Sequence, residues 1–321
     1  MVAPAPPLPY LDLNSHLRQR FSGRVQKVTL DAGLTCPNRD GRVGVGGCLY
    51  CNARGSGTGA WARGLGIHEQ MRQGMVRVQA RYGATRFIAY FQSFSNTYAP
   101  VEVLAKLYRE ALAFPEVVGL SVGTRPDCLN DPVLDLLTDI SRDYLLWLEL
   151  GLQSAHDATL RLLNRGHDVA CFRRAVEQAA GRGLEVVAHV ILGLPGEGPE
   201  EMAATARFLA GLPLQGVKIH LLYVIRGSAL ARLYEAGEYR CLTENEYLQR
   251  AADFLELLPP ETVIHRVTGD PHPEELLAPA WCLDKSRVLA RLKEEFARRG
   301  SRQGSRWTGA HASPPARGPV A

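Results

Sequence analysis

The sequence predicts an α/β protein: a partial (β/α)6 parallel barrel followed by a small C-terminal extension. Three observations lead there. Six apolar runs rich in β-branched residues alternate with stretches of helical periodicity between Val25 and Leu233, the pattern of parallel βαβ units with right-handed crossovers. A complete eightfold barrel takes about 250 residues, so six units in this span fit a partial barrel better than a closed one. The polar and glycine-rich motifs fall just after these runs, where strand-end loops of parallel folds carry chemistry.

The elements follow in order. Strands are expected at Val25–Leu30, Arg86–Phe91, Val117–Val122, Leu145–Leu150, Glu185–Leu192 and Gly216–Val224. Gly66–Tyr82 is expected as a helix, and Pro100–Ala113 places Val101, Leu104, Leu107, Tyr108 and Leu112 on one helical face. Asp131–Ile140 carries Pro132 in its first turn, where a missing N–H costs nothing. Asp168–Ala180 spaces Phe172, Ala175, Val176 and Ala179 helically, and Pro199–Leu209 opens with Pro199, Glu200 and Glu201, suited to a helix N-terminus. Thr243–Leu258 is a further helix, Thr262–Val267 an added strand, and Asp284–Arg298 a final basic helix. The predicted organisation is a leader (1–22), a barrel core (23–233), an α/β extension (234–299) and a disordered basic tail (300–321), whose Gly/Pro/Ser/Arg content cannot build a core.

Of the 321 residues, 46% are apolar and 22% charged, which excludes a disordered, collagen-like or coiled-coil chain. No run approaches the roughly 18 apolar residues of a membrane span. The N-terminal segment has neither a basic start nor a continuous apolar stretch, so a cytoplasmic protein is expected. The net charge is +4, and Asp284–Ala321 alone holds nine Lys/Arg against three Asp/Glu. Such a segment attracts nucleic acid or is simply a solvated helix and tail.

Seven cysteines argue against a disulfide framework. Cys36, Cys48 and Cys51 cluster directly after the first strand, in a loop whose glycines permit tight folding; Cys128, Cys171, Cys241 and Cys282 are scattered and expected as buried thiols. Clustered reduced thiols bind metal or do chemistry. A zinc site would recruit a fourth ligand such as His68, Cys128 or a distant histidine, whereas an iron–sulfur cube on three thiolates leaves one iron open. Spacing leaves both alternatives standing.

Residues 33–52, GLTCPNRDGRVGVGGCLYCN, resemble the cluster loop of the radical S-adenosylmethionine (SAM) superfamily. The eleven residues between Cys36 and Cys48, in place of the common three, match the YhcC/YtqA-like subfamily. That subfamily is related to the radical SAM domain of the Elongator catalytic subunit and to oxygen-independent coproporphyrinogen oxidase. Further motifs follow in the same order: FQSFSNTY at 91–98, GTRPD at 123–127, ELGLQS at 149–154, NRGH at 164–167 and HVILGLPGE at 189–197. Lys218–Val224, Thr268–Asp270, Ala280-Trp281 and Lys285 complete the likeness, which runs from about Tyr10 to about Leu292.

The resemblance implies that Cys36, Cys48 and Cys51 hold a 4Fe-4S cluster and that SAM occupies the open iron and is cleaved to a 5′-deoxyadenosyl radical. It implies Tyr50 beside the adenine and Gly193 in the segment that packs against it. Gln92 and Ser93 stand where the superfamily usually has Gly-Gly-Glu, so their oxygens would accept from the SAM amino group. Arg125 can pair with the SAM carboxylate, an anionic substrate or a structural acid, since a guanidinium grips a carboxylate bidentately. Glu149 and Gln153 are expected at the cofactor, with an ion pair between Glu149 and Arg125 as the structural alternative, because a buried carboxylate demands a partner. His189 and His220 face the lumen or are core; Arg165 and His167 touch substrate or cap their helix. The implied substrate is tRNA, at the wobble uridine, taking a 5-carboxymethylaminomethyl group toward 5-aminomethyl for a downstream methyltransferase, with an external electron donor. The basic residues Lys285, Arg287, Arg291, Lys293, Arg298 and Arg299 agree with phosphate contacts. Two rivals stand beside this: a radical SAM enzyme on a small molecule or protein, and a non-enzymatic zinc-stabilised RNA-binding protein.

Overall fold

The computed structural model describes residues 8–52, 55 and 59–309. The elements run α1 (Leu13–Phe21), β1 (Val25–Leu30), α2 (Ile67–Tyr82), β2 (Arg86–Phe91), α3 (Val101–Leu112), β3 (Val117–Thr124), α4 (Asp131–Ile140) and β4 (Leu145–Gln153). There follow α5 (Asp157–Leu162), α6 (Val169–Gly181), β5 (Glu185–Leu192), α7 (Pro199–Ala210), β6 (Gly216–Leu221), β7 (Val224–Ile225), α8 (Ala229–Glu235), α9 (Glu244–Leu257), β8 (Val263–Arg266), β9 (Leu276–Ala278) and α10 (Lys285–Arg299).

Among the described residues, β1 to β6 and then β8 form one parallel sheet of seven strands in chain order, curled into a half-barrel; β7 and β9 pair separately. The convex face buries Val28, Leu30, Phe91, Leu120, Leu148, Val190 and Ile219 under the helices in one continuous core. N-caps start α4 and α9 where the sequence expects. Asn130 accepts from the Val133 N–H, and Thr243 and Glu246 form a reciprocal capping box at α9.

The lumenal face is layered by the two-residue strand repeat. Val25, Ile88, Leu145, Trp147 and Val187 form an apolar layer with Leu17 of α1 beneath it. Two residues further along β1, β2, β4 and β5, the layer becomes polar: Lys27, Tyr90, Glu149 and His189. Arg20 of α1 and the Trp147 indole both bond Glu185, at 2.8 Å each, fixing α1 across this end.

Three expectations change. The extension is continuous with the barrel: the expected boundary at 233 falls inside α8, and β8 pairs with β6 because an uncovered β6 would leave its ladder groups open. The leader carries α1, and Leu11 O accepts from the Ile264 N–H at 2.8 Å, covering β8 in turn. Residues 300–309, expected as disordered, are pinned. Buried Gln303 donates to Pro259 O (2.7 Å) and Thr262 O (2.8 Å) and accepts from the Leu11 N–H (2.9 Å). Residues 310–321 lie outside the described set. The α10 arginines are largely committed within the fold. Arg287 and Arg291 pair with Glu244, Arg298 with Glu295, and Arg299 with Asp253, Glu256 and Glu295.

Candidate active site

The cysteine loop leaves β1 and returns over the C-terminal ends of the strands. The turn after α5 holds it there. Asn164, at φ 53°, donates to Val45 O (3.0 Å) and Gly47 O (2.7 Å), and its own carbonyl accepts from Asn38 Nδ2 at 3.1 Å. Leu49 N donates to Leu163 O at 3.0 Å. A side chain at Gly166, φ 70°, would meet Val43 Cγ1 at 2.5 Å, so this turn needs glycine. The NRGH motif therefore shapes the loop; Asp168, not Arg165 or His167, caps α6 by accepting from Cys171 N. Burial and the neighbouring Arg165 hold the His167 ring neutral, its pKa near 2, and Nε2 accepts from Arg165 Nε at 3.2 Å.

Cys36, Cys48 and Cys51 border one cleft with Tyr50. Asn38 Nδ2 and Arg165 Nη1 each reach Cys48 Sγ at 3.3 Å, and Ser95 Oγ lies 3.1 Å from Cys36 Sγ. A hydrogen bond from Cys51 and the Arg165 guanidinium, against the cost of burial, hold the Cys48 thiol well below its usual range. The three thiols thus include one already disposed to be a thiolate. Among the described residues no group of three or more His, Cys, Asp or Glu side chains converges on a single metal-ion position. His68 is exposed on α2 with its ring against Phe114, and Cys171 is half-buried rather than buried.

Gln92, Arg125, Glu149 and Gln153 line the same cleft. Arg125 is bidentate to Asp127 (Nε–Oδ1 2.9 Å, Nη2–Oδ2 2.8 Å), while its buried Nη1 has no partner. Gln153 sits at φ 76° beside an irregularity in the β4–β5 pairing. A side chain at Gly151 would lie 2.6 Å from Gln153 Nε2 and 3.0 Å from Arg165 Nη2, so glycine there admits both groups. Ser93, buried with an unpartnered Oγ, and Gly193, whose carbonyl accepts from the Tyr239 hydroxyl at 2.9 Å, are not among the residues lining the cleft.

Glu149 is not paired with Arg125. Its Oε1 accepts from Lys27 Nζ and Ser121 Oγ (2.5 Å), its Oε2 from His189 Nε2 (2.5 Å) and Lys218 Nζ (3.1 Å). Burial opposes its charge, but Lys218 and Lys27 win and hold the carboxyl well below the usual range. Lys27 lies outside the family motifs, and Lys218 opens one of them with no role attached to it. Their signal is the one Lys or Glu in each of three strands, VQKVTL, LLWLELGLQ and GVKIHL.

The residues present fit a cluster with SAM on its open corner: three thiols at one cleft, donors aimed at one sulfur, and an unmet guanidinium N–H in the wall. The superfamily description "Radical SAM superfamily" matches residues 38–209, and "Radical_SAM C-terminal domain" matches residues 214–298. The chain belongs to the radical SAM superfamily and is a radical SAM enzyme; members of the superfamily generally bind a 4Fe-4S cluster and SAM.

Its similarity is high to YtqA of Bacillus subtilis (strain 168), 43% identical over 295 residues, 92% of each chain. YhcC of Escherichia coli (strain K12) is 40% identical over 91% of this chain and 94% of that one. Elongator complex protein 3 of Mus musculus is 32% identical over 49% of this chain and 29% of its own length. Methanocaldococcus infernus Elp3 shares the fold with a TM-score of 0.65 at 18% identity, covering 87% of this chain and 64% of that one.

Proposed function

We propose that Cys36, Cys48 and Cys51 hold a 4Fe-4S cluster, that SAM binds beside Arg125, Gln92, Gln153 and Tyr50, and that the enzyme modifies the wobble uridine of tRNA by trimming 5-carboxymethylaminomethyl toward 5-aminomethyl. The observation that carries the chemistry is Cys48 Sγ, which two side-chain donors address at the mouth of the cleft that Cys36 and Cys51 share. When bound, the cluster supplies the electron that cleaves SAM to a hydrogen-abstracting radical. The chain's own residues do the rest. The unmet Arg125 Nη1 would take the SAM carboxylate, a charge-assisted bond in a buried wall. The Tyr50 ring would cover the adenine, and the apolar layer under the lumen keeps water from the reacting centre. The tRNA substrate rests on the family resemblance and on the likeness to Elongator complex protein 3 over half the chain.

Anaerobic reconstitution is expected to load about four irons per chain. 5′-Deoxyadenosine is expected to form under reductant and to be lost in Cys36→Ala, Cys48→Ala and Cys51→Ala; iron-loaded protein that leaves SAM intact rejects the chemistry. Mass spectrometry of tRNA nucleosides from a deletion strain tests the substrate. Accumulated carboxymethylaminomethyluridine, cleared by the wild-type gene but not by Cys48→Ala, is expected. Unchanged wobble nucleosides reject tRNA and leave a small molecule or protein in its place.

A further inference from the structure

The lumen below the cysteine loop holds more positive than negative charge. Lys27 (β1), Lys218 (β6) and Arg266 (β8) face it, with Glu149 (β4) and Asp270 as the nearby acids. Asp270 pairs with Arg266 at 3.7 Å, so two ammonium groups share the single Glu149 carboxylate. The histidines do not alter this count. His189 (β5) is lowered to about 4 by burial and Lys218, and burial puts His220 (β6) and His265 (β8) well below their ordinary range. Tyr90 (β2) stays protonated, since burial raises its hydroxyl. An enclosed surplus cation is costly without a partner.

The surplus also faces the cleft. Tyr90, Glu149, His189, Lys218 and His220 all line it, whereas Lys27 does not; Lys27 Nζ lies 4.8 Å from the ring centres of both Tyr90 and Trp147, and Lys218 Nζ lies 4.4 Å from that of Tyr90. Lys218 Nζ uses one donor on Tyr90 Oη (2.7 Å) and one on Glu149, and an ammonium has three. The His189 and His220 rings stand 5.3 Å apart beside it.

We propose that Lys218, flanked by His189 and His220, receives a terminal carboxylate of the substrate at the floor of the lumen. While Lys218 is protonated, below about pH 7, a monoanion matches the residual charge of one. A terminal group is required because the apolar layer of Val25, Ile88, Trp147 and Val187 lies immediately beneath, leaving a polymer phosphodiester no room to continue on both sides. This deepens the proposed reaction, whose substrate ends in a carboxymethyl group, and rests on it for the identity of that substrate.

The test is isothermal titration of the anaerobically reconstituted full chain with acetate and, separately, with dimethyl phosphate. Acetate should saturate one site and bind at least about tenfold more tightly than dimethyl phosphate. Lys218→Met should weaken acetate about tenfold or more, and Lys218→Arg should restore it to within about threefold. Lys218 is lowered to about 7 by burial, so in the wild type acetate affinity should fall with pH above about 7; this arm needs no variant. Absence of acetate binding, equal binding by Lys218→Met, a flat pH profile, or equal affinity for dimethyl phosphate overturns the receptor. These outcomes leave SAM cleavage unaffected as a separate measurement. Failure of SAM cleavage overturns the proposed reaction and leaves the acetate result readable.

Discussion

Arg165 donates from Nη1 to Cys48 Sγ and to the Tyr50 hydroxyl, both at 3.3 Å, and from Nη2 to Gly151 O at 2.9 Å. Donors aimed at a ligand sulfur stabilise the extra negative charge of a reduced cluster and so raise its potential. Arg165→Met is therefore expected to lower the midpoint of the reconstituted protein in a redox titration followed by electron paramagnetic resonance, with Arg165→Lys intermediate. An unchanged midpoint would mean that Asn38 alone sets the environment of Cys48. Glu149 is the other residue whose loss has a defined direction. Glu149→Gln leaves Lys27 and Lys218 without a counter-charge in a fully buried position, which should cost about 3–5 kcal/mol. Urea denaturation of wild type and variant measures it, and a loss under about 1 kcal/mol would show that water or a relaxed lysine reaches the site.

At the scale of elements, the α5–α6 turn governs the cysteine loop. Asn164→Ala removes both bonds from Nδ2 and favours leaving the positive φ that asparagine tolerates. Iron should then be lost to a chelator about 10-fold faster while the thermal melt of the barrel shifts little. Equal rates would mean that the loop holds its shape without the turn. Much of this element structure was legible in the chain. β1, β2 and β5 begin and end where their apolar runs do, because a parallel strand covered by helices is apolar for most of its length. Short α5 and α8, and the two- and three-residue strands β7 and β9, were not, since none is long enough to show a period. The cleft was legible through its loop motifs. The Lys27–Glu149–Lys218 layer was not: its bonds join residues 122 and 69 apart, a proximity that only closing the sheet creates.

The whole molecule is bound together by its two ends. Gln303→Ala would orphan Leu11 N, Pro259 O and Thr262 O where β8 meets the N-terminal segment, an expected cost of about 1–3 kcal/mol by chemical denaturation. The net dependence of stability on pH is also a property of the whole. As pH falls below 6.5, the unfolded chain protonates histidine while His189, lowered to about 4, resists, and below 4.5 Glu149 resists likewise; stability drops toward acid. Between about 7 and 10.5 the unfolded chain still binds the lysine proton that folded Lys218 has released, so stability rises with pH through that window. Burial pushes the thiols of Cys128 and Cys282 up to about 12, so above about 9 the folded state binds more protons than the unfolded one, and stability falls again. Denaturation midpoints of the metal-free chain should therefore climb from pH 5, keep climbing past pH 7 and turn down above about 9. Lys218→Met should make the climb above pH 7 shallower, with Lys27, Lys285 and Cys48 still contributing to it, and keep the downturn. Equal slopes for wild type and Lys218→Met between pH 7 and 9 would mean that Lys218 keeps its proton in the folded lumen.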